Sequence, residues 1–112
     1  MDLELKGKVV VITGGSRGIG AACVEGFASE EAIPVIVGRS LEDGSALIEK
    51  LGRGMMIEAE LTSEGACEKA ILKVMETYGR IDGVVHNAGV NDLVSLRLSL
   101  IHISEPTRQS PI

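Results

Sequence analysis

The chain is poor in aromatic residues: it has no tryptophan, and Phe27 and Tyr78 are its aromatic side chains. It therefore offers no platform on which nucleic-acid bases could stack. Its 11 basic residues are interspersed with 16 acidic ones and form no basic stripe. Both features exclude a nucleic acid as the main partner. No apolar run approaches the length of a membrane span, so we expect no membrane partner either.

Cysteine and histidine are scarce as well, with two of each in 112 residues. Cys23 and Cys67 form no CxxC motif, and His86 and His102 have no partners at ligand spacing. We therefore predict no metal site, two reduced apolar cysteines and a structural role for His86. The N-terminus has no apolar segment of the signal-peptide type. These features favour a cytoplasmic protein.

Apolar runs that read as buried strands alternate with amphipathic segments that read as helices. The strands are predicted at residues 8–13, 33–37, 55–59 and 81–86. The first helix is predicted at 18–30, with Ile19, Cys23, Gly26 and Phe27 on its inner face. Ser40 is predicted to cap the second helix, and Thr62 or Ser63 the third.

The order βαβαβαβ predicts an α/β fold, with a Rossmann-like, doubly wound parallel sheet of strand order 3-2-1-4. The length suits one small domain. A complete doubly wound domain needs further strands after the fourth.

A glycine-rich turn lies between the first strand and the first helix, with glycines at 14, 15, 18 and 20. The spacing is neither the common GxGxxG fingerprint nor a P-loop. The turn nevertheless brings backbone N–H groups and a helix N-terminus toward a phosphate. It predicts a dinucleotide cofactor. The candidate binding residues here are Gly14, Ser16, Arg17, Gly18, Ile19 and Gly20.

The end of the second strand bears on the choice of cofactor. NAD-binding sites usually carry an acidic residue there, about twenty residues past the glycines. This chain has Gly38 followed by Arg39. A guanidinium can pair with a 2′-phosphate, and Arg17 could supply a second cation. We therefore favour NADP over NAD; the alternative is that both arginines are solvated surface residues.

Two further candidate contacts follow the third and fourth strands. Glu60, before Leu61, could accept a hydrogen bond from an adenine amino group, or be an ordinary exposed glutamate. Asn87, Ala88 and Gly89 could let the backbone run beside the cofactor, or form a simple turn.

Together these motifs resemble the short-chain dehydrogenase/reductase family over about residues 3–96. The segments that carry the resemblance are residues 13–20, 60–61, 78–82 and 87–89. Two positions depart from the usual pattern: Glu60 stands where aspartate is common, and His86 where asparagine often stands. Residues 33–35 and 90–92 are similar to segments of bacterial sugar dehydrogenases of the fucose dehydrogenase type.

The resemblance implies hydride transfer between a nicotinamide cofactor and a small alcohol or carbonyl substrate, including a sugar, in a homo-oligomeric parent enzyme. Family members use a Tyr-xxx-Lys pair, a serine and an asparagine for catalysis. Here Tyr78 is followed four residues later by Asp82, and it lies on the predicted inner face of the third helix. The sequence therefore offers no catalytic residue.

The last residues read differently. Leu96, Leu98 and Leu100 alternate with other residues at a period of two, typical of a strand, where the resemblance implies a helix. Residues 98–108 are identical to a translation of a transposase-type sequencing-library adapter. We therefore expect residues 1–97 to be the N-terminal part of an NAD(P)-binding domain and 98–112 to be a non-native tail.

The favoured interpretation is a cofactor-binding fragment of an NAD(P)-dependent oxidoreductase that lacks the catalytic residues and is itself inactive. One alternative is a non-catalytic dinucleotide-binding module or subunit. Another is a domain that binds S-adenosylmethionine, which Arg39 disfavours.

Overall fold

Helices and strands alternate through residues 4–14 and 18–87, the part of the chain that the computed structural model describes. The elements are β1 (Val9–Thr13), α1 (Gly18–Ser29), β2 (Ile33–Gly38), α2 (Leu41–Leu51), β3 (Met55–Glu58), α3 (Glu64–Tyr78) and β4 (Gly83–His86). Every predicted element is present, and the bounds predicted for the four strands and the first helix differ from the observed ones by at most two residues.

The four strands form one parallel sheet in the order β3-β2-β1-β4. Val10 lies opposite Gly83, and Thr13 opposite His86. The predicted 3-2-1-4 order is therefore confirmed. Because all strands run the same way, the chain leaves every strand at one end of the sheet, here called the carboxyl end. The opposite end is the amino end.

The two faces of the sheet are covered by different helices. Val9 and Val11 of β1 belong to an apolar cluster that includes Cys67 and Val74 of α3. Val10 and Ile12 point the other way and belong to a cluster with Val24 of α1 and, at its margin, apolar residues of α2. Burying each of these aliphatic side chains contributes about 1.5–3 kcal/mol. Apolar runs without alternation are what a sheet covered on both faces requires.

Helix capping agrees with the sequence prediction at α3 and departs from it at α2. The Ser63 hydroxyl accepts a hydrogen bond from the backbone N–H of Ala66 at 3.2 Å. Ser40 holds the N-cap position of α2, but its side chain makes no capping hydrogen bond. Its ψ of 71° lies outside the extended conformation that aims a capping oxygen at the helix N–H groups. The prediction that Ser40 caps through its side chain was wrong.

The predicted inner face of α1 was also wrong at two positions. Ile19 is 75 % exposed, and Gly26 is exposed, whereas Gly20 and Val24 are buried. Alanine, cysteine, valine and phenylalanine occur on several sides of this helix. Because it is apolar on most of its surface, residue spacing does not distinguish its inner face.

At Gly54, just before β3, the backbone passes close to β2. The φ of Gly54 is +99°, and a Cβ there would overlap the backbone oxygen of Pro34 in β2. Only glycine adopts this conformation without strain and leaves room for the neighbouring strand.

The amino end of the sheet is fastened by Asp82, which precedes β4. Its Oδ2 accepts from the backbone N–H of Val9 at 2.8 Å, and its own N–H donates to the Val9 oxygen at 2.8 Å. Arg80 donates to both carboxylate oxygens at 2.7 Å. The Arg80 guanidinium, followed by the Val9 N–H, lowers the pKa of Asp82, and Asp82 in turn raises the pKa of Arg80.

None of the helices within residues 4–14 and 18–87 is both long enough and apolar enough to cross a membrane.

Candidate functional site

The Thr13 hydroxyl links the ends of β1 and β4 at the carboxyl end of the sheet. Thr13 is fully buried, and its Oγ1 accepts from the backbone N–H of Asn87 at 2.9 Å. The same oxygen lies 3.1 Å from Nδ1 of His86. The Thr13 hydroxyl can both donate and accept, so the direction of this hydrogen bond follows the tautomer of His86. His86 thus takes part in a structural contact, as the sequence predicted.

Gly14 begins the glycine turn and is held between the two neighbouring strands. Its N–H donates to the Val37 oxygen of β2 at 3.0 Å, and its oxygen accepts from Nδ2 of Asn87 at 3.3 Å. Its φ is +67°, and a Cβ would lie 3.2 Å from the Asn87 oxygen. The tight turn predicted at Gly14 therefore favours glycine for its conformation, and a Cβ would also crowd the Asn87 oxygen.

The N-terminus of α1 opens onto this end of the sheet. Gly18 is its first residue, with φ of +56°, and no atom of residues 4–14 or 18–87 is found within 4 Å of the place of a Cβ. Ile19 is exposed beside it, and Gly20 is buried within the helix. The unpaired N–H groups and the helix dipole make such a terminus attractive to an anion. The candidates Ser16 and Arg17 lie outside the described residues.

Arg39 and Glu60 lie next to each other, after β2 and β3. Nη1 of Arg39 is 3.7 Å from Oε2 of Glu60, and their side chains are 79 % and 48 % exposed. The two loops are joined where the Ala59 N–H donates to the Gly38 oxygen at 2.9 Å. Leu61 is buried in the cluster facing α3, so it anchors the backbone that carries Glu60.

An open cavity of about 350 Å³ lies beside Arg39 at the start of α2. Its lining residues are Arg39, Ser40, Leu41, Glu42, Asp43 and Glu58. The sequence did not single out these three carboxylates or Ser40 as neighbours of Arg39. Glu58 comes from another strand, and only the β2–β3 pairing brings it close. The cavity therefore combines one guanidinium with an acidic surround.

Tyr78 lies at the end of α3, away from this site, and packs against the cluster on that face of the sheet. Burial raises the pKa of its phenol, which opposes acid–base work near neutral pH. The prediction that Tyr78 is a core residue holds in part, since the side chain packs against the core cluster but is only partly buried. Among the residues whose structure is described, no group of three His, Cys, Asp or Glu side chains could hold a metal ion. Ala88 and Gly89, the remaining candidates, lie outside that part of the chain.

The sequence profile described as short chain dehydrogenase matches residues 8–104. The chain belongs to the short-chain dehydrogenase family. This is a family of oxidoreductases, and the parallel sheet is its Rossmann-like nucleotide-binding fold. The resemblance predicted from the glycine turn and the motifs after the third and fourth strands is confirmed.

Relatives of this family member include sugar enzymes. L-fucose dehydrogenase from Rattus norvegicus is 41 % identical over 83 residues, which is 74 % of this chain and 31 % of that protein. This match supports the sugar-dehydrogenase similarity read from the sequence. L-sorbose reductase from Gluconobacter frateurii, solved with NADPH and L-sorbose, has 30 % identity and a TM-score of 0.79. That alignment covers 90 % of this chain and 49 % of the reductase.

A third comparison concerns the fold alone. The 3-ketoacyl-(acyl-carrier-protein) reductase from Brucella melitensis, solved with NADH, has a TM-score of 0.83 at 24 % identity. The alignment covers 87 % of this chain and 50 % of the Brucella melitensis reductase. The short-chain dehydrogenase chain described here thus spans 31 to 50 % of the length of these relatives.

Proposed function

We propose that this chain is the N-terminal, cofactor-binding part of an NAD(P)-dependent oxidoreductase. The observation that carries the proposal is the position of the glycine turn. Crossovers from β1 and β3 cover opposite faces of the sheet, so the topological switch point lies between β1 and β4 at the carboxyl end. Ligands of doubly wound sheets bind at such a switch point. Gly14 and Asn87 meet there, beside the open N-terminus of α1.

The residues present fit a dinucleotide. We assign the diphosphate to Gly14, Ser16, Arg17, Gly18, Ile19 and Gly20, where the space left beside Gly18 lets a ligand approach the backbone. We assign the adenosine to Arg39, Glu60 and Leu61, and the passage of the cofactor past β4 to Asn87, Ala88 and Gly89. The bound nicotinamide would supply hydride transfer; these residues bind and orient the cofactor.

The proposed cofactor is NADP, with NAD as the second choice. Arg39 is largely exposed, and Gly38 stands where a ribose-binding carboxylate would repel a 2′-phosphate. A planar guanidinium suits paired contacts to phosphate oxygens. One solved neighbour contains NADPH and another contains NADH, which supports a nicotinamide dinucleotide rather than either form of it.

We assign no catalytic residue to this chain and propose that residues 1–97 are native and 98–112 a foreign tail. The parent would act on a small alcohol or carbonyl, with a sugar favoured by the L-fucose and L-sorbose relatives. Its homo-oligomeric state and cytoplasmic location are predictions as well.

Sequencing the genomic DNA beyond codon 97 tests the proposed boundary between native and foreign residues. A serine and a Tyr-xxx-Lys motif in frame are expected, and an uninterrupted natural gene through residues 98–112 would contradict the proposal.

Cofactor binding is tested by titrating the 112-residue chain with NADPH and NADH. The chain lacks tryptophan, so the emission of the reduced nicotinamide can be followed directly. We expect saturable binding of both cofactors, tighter for NADPH, and no turnover. Gly14→Val should abolish binding, because its side chain would meet Asn87. Gly26→Ala is the matched control, since its Cβ would enter open space. Absence of saturation with either cofactor at millimolar concentration would refute the proposal.

Arg39→Gln tests the cofactor preference separately. We expect it to weaken NADPH binding about tenfold or less while leaving NADH binding nearly unchanged, because only the 2′-phosphate pairs with the guanidinium. Equal losses for both cofactors would show that Arg39 does not read the 2′-phosphate.

A further inference from the structure

We propose that Glu60 is a specificity-determining residue that weakens the preference for NADP by engaging Arg39. The inference rests on the proposed dinucleotide binding and concerns the same site. Glu60 acts as a positioning residue: its carboxylate draws the guanidinium toward β3 and offsets its charge. The arginine that would select a 2′-phosphate is thus partly occupied within the protein.

The geometry of Glu60 supports this role. Its Oε2 faces Nη1 of Arg39 at 3.7 Å, while its Oε1 accepts from the Thr62 hydroxyl at 3.2 Å. Thr62 therefore fixes one carboxylate oxygen, and the other is turned toward Arg39. An aspartate, which is one methylene shorter, would withdraw the carboxylate from the guanidinium. The longer side chain at this position brings the carboxylate closer to Arg39.

The charges around Arg39 favour the same conclusion. Glu42, Asp43 and Glu58 line the cavity with Arg39, and Glu60 pairs with it. A phosphate monoester carries a charge of about −1.5 to −2 at neutral pH. The attraction between such a group and the Arg39 guanidinium is weakened by the neighbouring carboxylates. An uncharged 2′-hydroxyl has no such charge interaction with them. Removing the Glu60 charge should therefore improve binding of the 2′-phosphorylated ligand alone.

Two adenosine ligands isolate this effect from the nicotinamide half of the site. Calorimetry of the 112-residue chain gives the Kd for adenosine 2′,5′-bisphosphate and for 5′-AMP. We expect Glu60→Gln to raise the preference for the bisphosphate about threefold at low salt. The gain should nearly vanish at about 1 M salt, where the screening length falls to about 3 Å. Glu76→Gln, which makes the same charge change near the far end of α3, should leave the preference unchanged.

A second set of variants shows whether Glu60 acts through Arg39. In an Arg39→Gln background, Glu60→Gln should change the preference no more than the Glu76→Gln control does. Glu60→Asp, which keeps the charge but shortens the side chain, should raise the preference by less than Glu60→Gln. It also serves as the test if Glu60→Gln fails to fold, a point that circular dichroism checks.

The outcomes separate the two proposals. If neither adenosine ligand binds the parent chain, the proposed dinucleotide site is refuted, and this inference with it. If both bind but Glu60→Gln leaves their ratio unchanged or lowers it, the inference alone is overturned. A gain that persists without Arg39 also overturns it, because Glu60 would then act on the ligand directly.

Discussion

The two ends of the sheet use charged side chains in opposite ways. At the amino end, the Arg80 guanidinium donates hydrogen bonds to both carboxylate oxygens of Asp82 at 2.7 Å, and the same carboxylate accepts from the backbone N–H of Val9. At the carboxyl end, Arg39 and Glu60 are 3.7 Å apart and largely exposed. The amino end joins strands through close contacts, whereas the carboxyl end leaves charge accessible. In the proposed function, the charged pair at the amino end stabilises the sheet, and the exposed pair at the carboxyl end takes part in ligand recognition.

The largest effect expected at the amino end comes from Gly54→Ala. The new methyl group would overlap the Pro34 oxygen, and alanine is strained at a φ of +99°. We expect a loss of at least about 3 kcal/mol in the free energy of unfolding, or failure to fold. Gly52→Ala is the control, since it shares a positive φ but meets nothing within 4 Å. Urea denaturation of Gly52→Ala should show a loss of only about 1 kcal/mol in the free energy of unfolding. Equal losses would mean that the contact with β2 is unimportant.

Asp82→Ala should destabilise the chain by about 1.5–3 kcal/mol, because it leaves the Val9 N–H without its charged acceptor. Arg80→Gln removes the ion pair but keeps the bond to Val9. It should cost less than Asp82→Ala, since the guanidinium is half exposed. Chemical denaturation at neutral pH separates the two contributions. A larger loss for Arg80→Gln than for Asp82→Ala would reverse the assignment.

The contribution of Asp82 should also depend on pH. Its pKa is lowered in the folded state, so its carboxylate binds protons less readily there than in the unfolded chain. The stabilisation is fully present above the unfolded pKa of about 3.9 and is lost as the pH falls through the folded value. We expect the advantage of the parent over Asp82→Ala to be constant from about pH 5 upward and to shrink below about pH 4. A pH-independent difference would contradict the ionic origin.

Thr13→Val tests the polar link at the carboxyl end. It keeps the shape of the side chain but removes the acceptor for the Asn87 N–H, at a cost of about 1 kcal/mol. Amide hydrogen exchange should show faster exchange at Asn87 in this variant. Thr13→Ser retains the hydroxyl and should keep that amide protected, even though it loses a buried methyl group. Unchanged protection in both variants would show that Thr13 does not hold Asn87.

The smallest effect on stability is expected for Arg39→Gln. An exposed pair at 3.7 Å should contribute less than about 0.5 kcal/mol, in contrast to the Asp82 contacts. The same variant should nevertheless change the cofactor preference. A stability loss as large as that of Asp82→Ala would abolish the contrast between the two ends of the sheet.

The sequence predicted the elements and their order because the buried strands are continuous apolar runs, such as residues 9–12, separated by segments of helical period. The glycine turn and Arg39 could be found for a related reason: their neighbours along the chain place them at strand ends. Glu60 and Asn87 follow strands in the same manner. For these residues, local sequence is sufficient to give position in a parallel sheet.

Contacts between distant segments could not be predicted in the same way. Thr13 and His86 are separated by 73 residues, and nothing in either neighbourhood identifies the other. The inner face of α1 was misassigned at Ile19, because an almost uniformly apolar helix has no distinctive period. Ser40 has the right residue type for a cap but the wrong backbone angle. These outcomes depend on tertiary packing rather than on residue type.

The central place of β1 has a consequence for biosynthesis. One neighbour of β1, strand β2, is synthesised soon after it. The other neighbour, β4, which pairs with residues 10–13 along the opposite edge of β1, is synthesised much later. Translation proceeds at about 5–20 residues per second, so β4 is synthesised several seconds after β1. Until then, this edge of β1 lacks its partner strand. During this interval the unpaired edge of β1, which is rich in valine, is open to pairing with other strands. Pairing with β4, which begins at Gly83, ends that exposure.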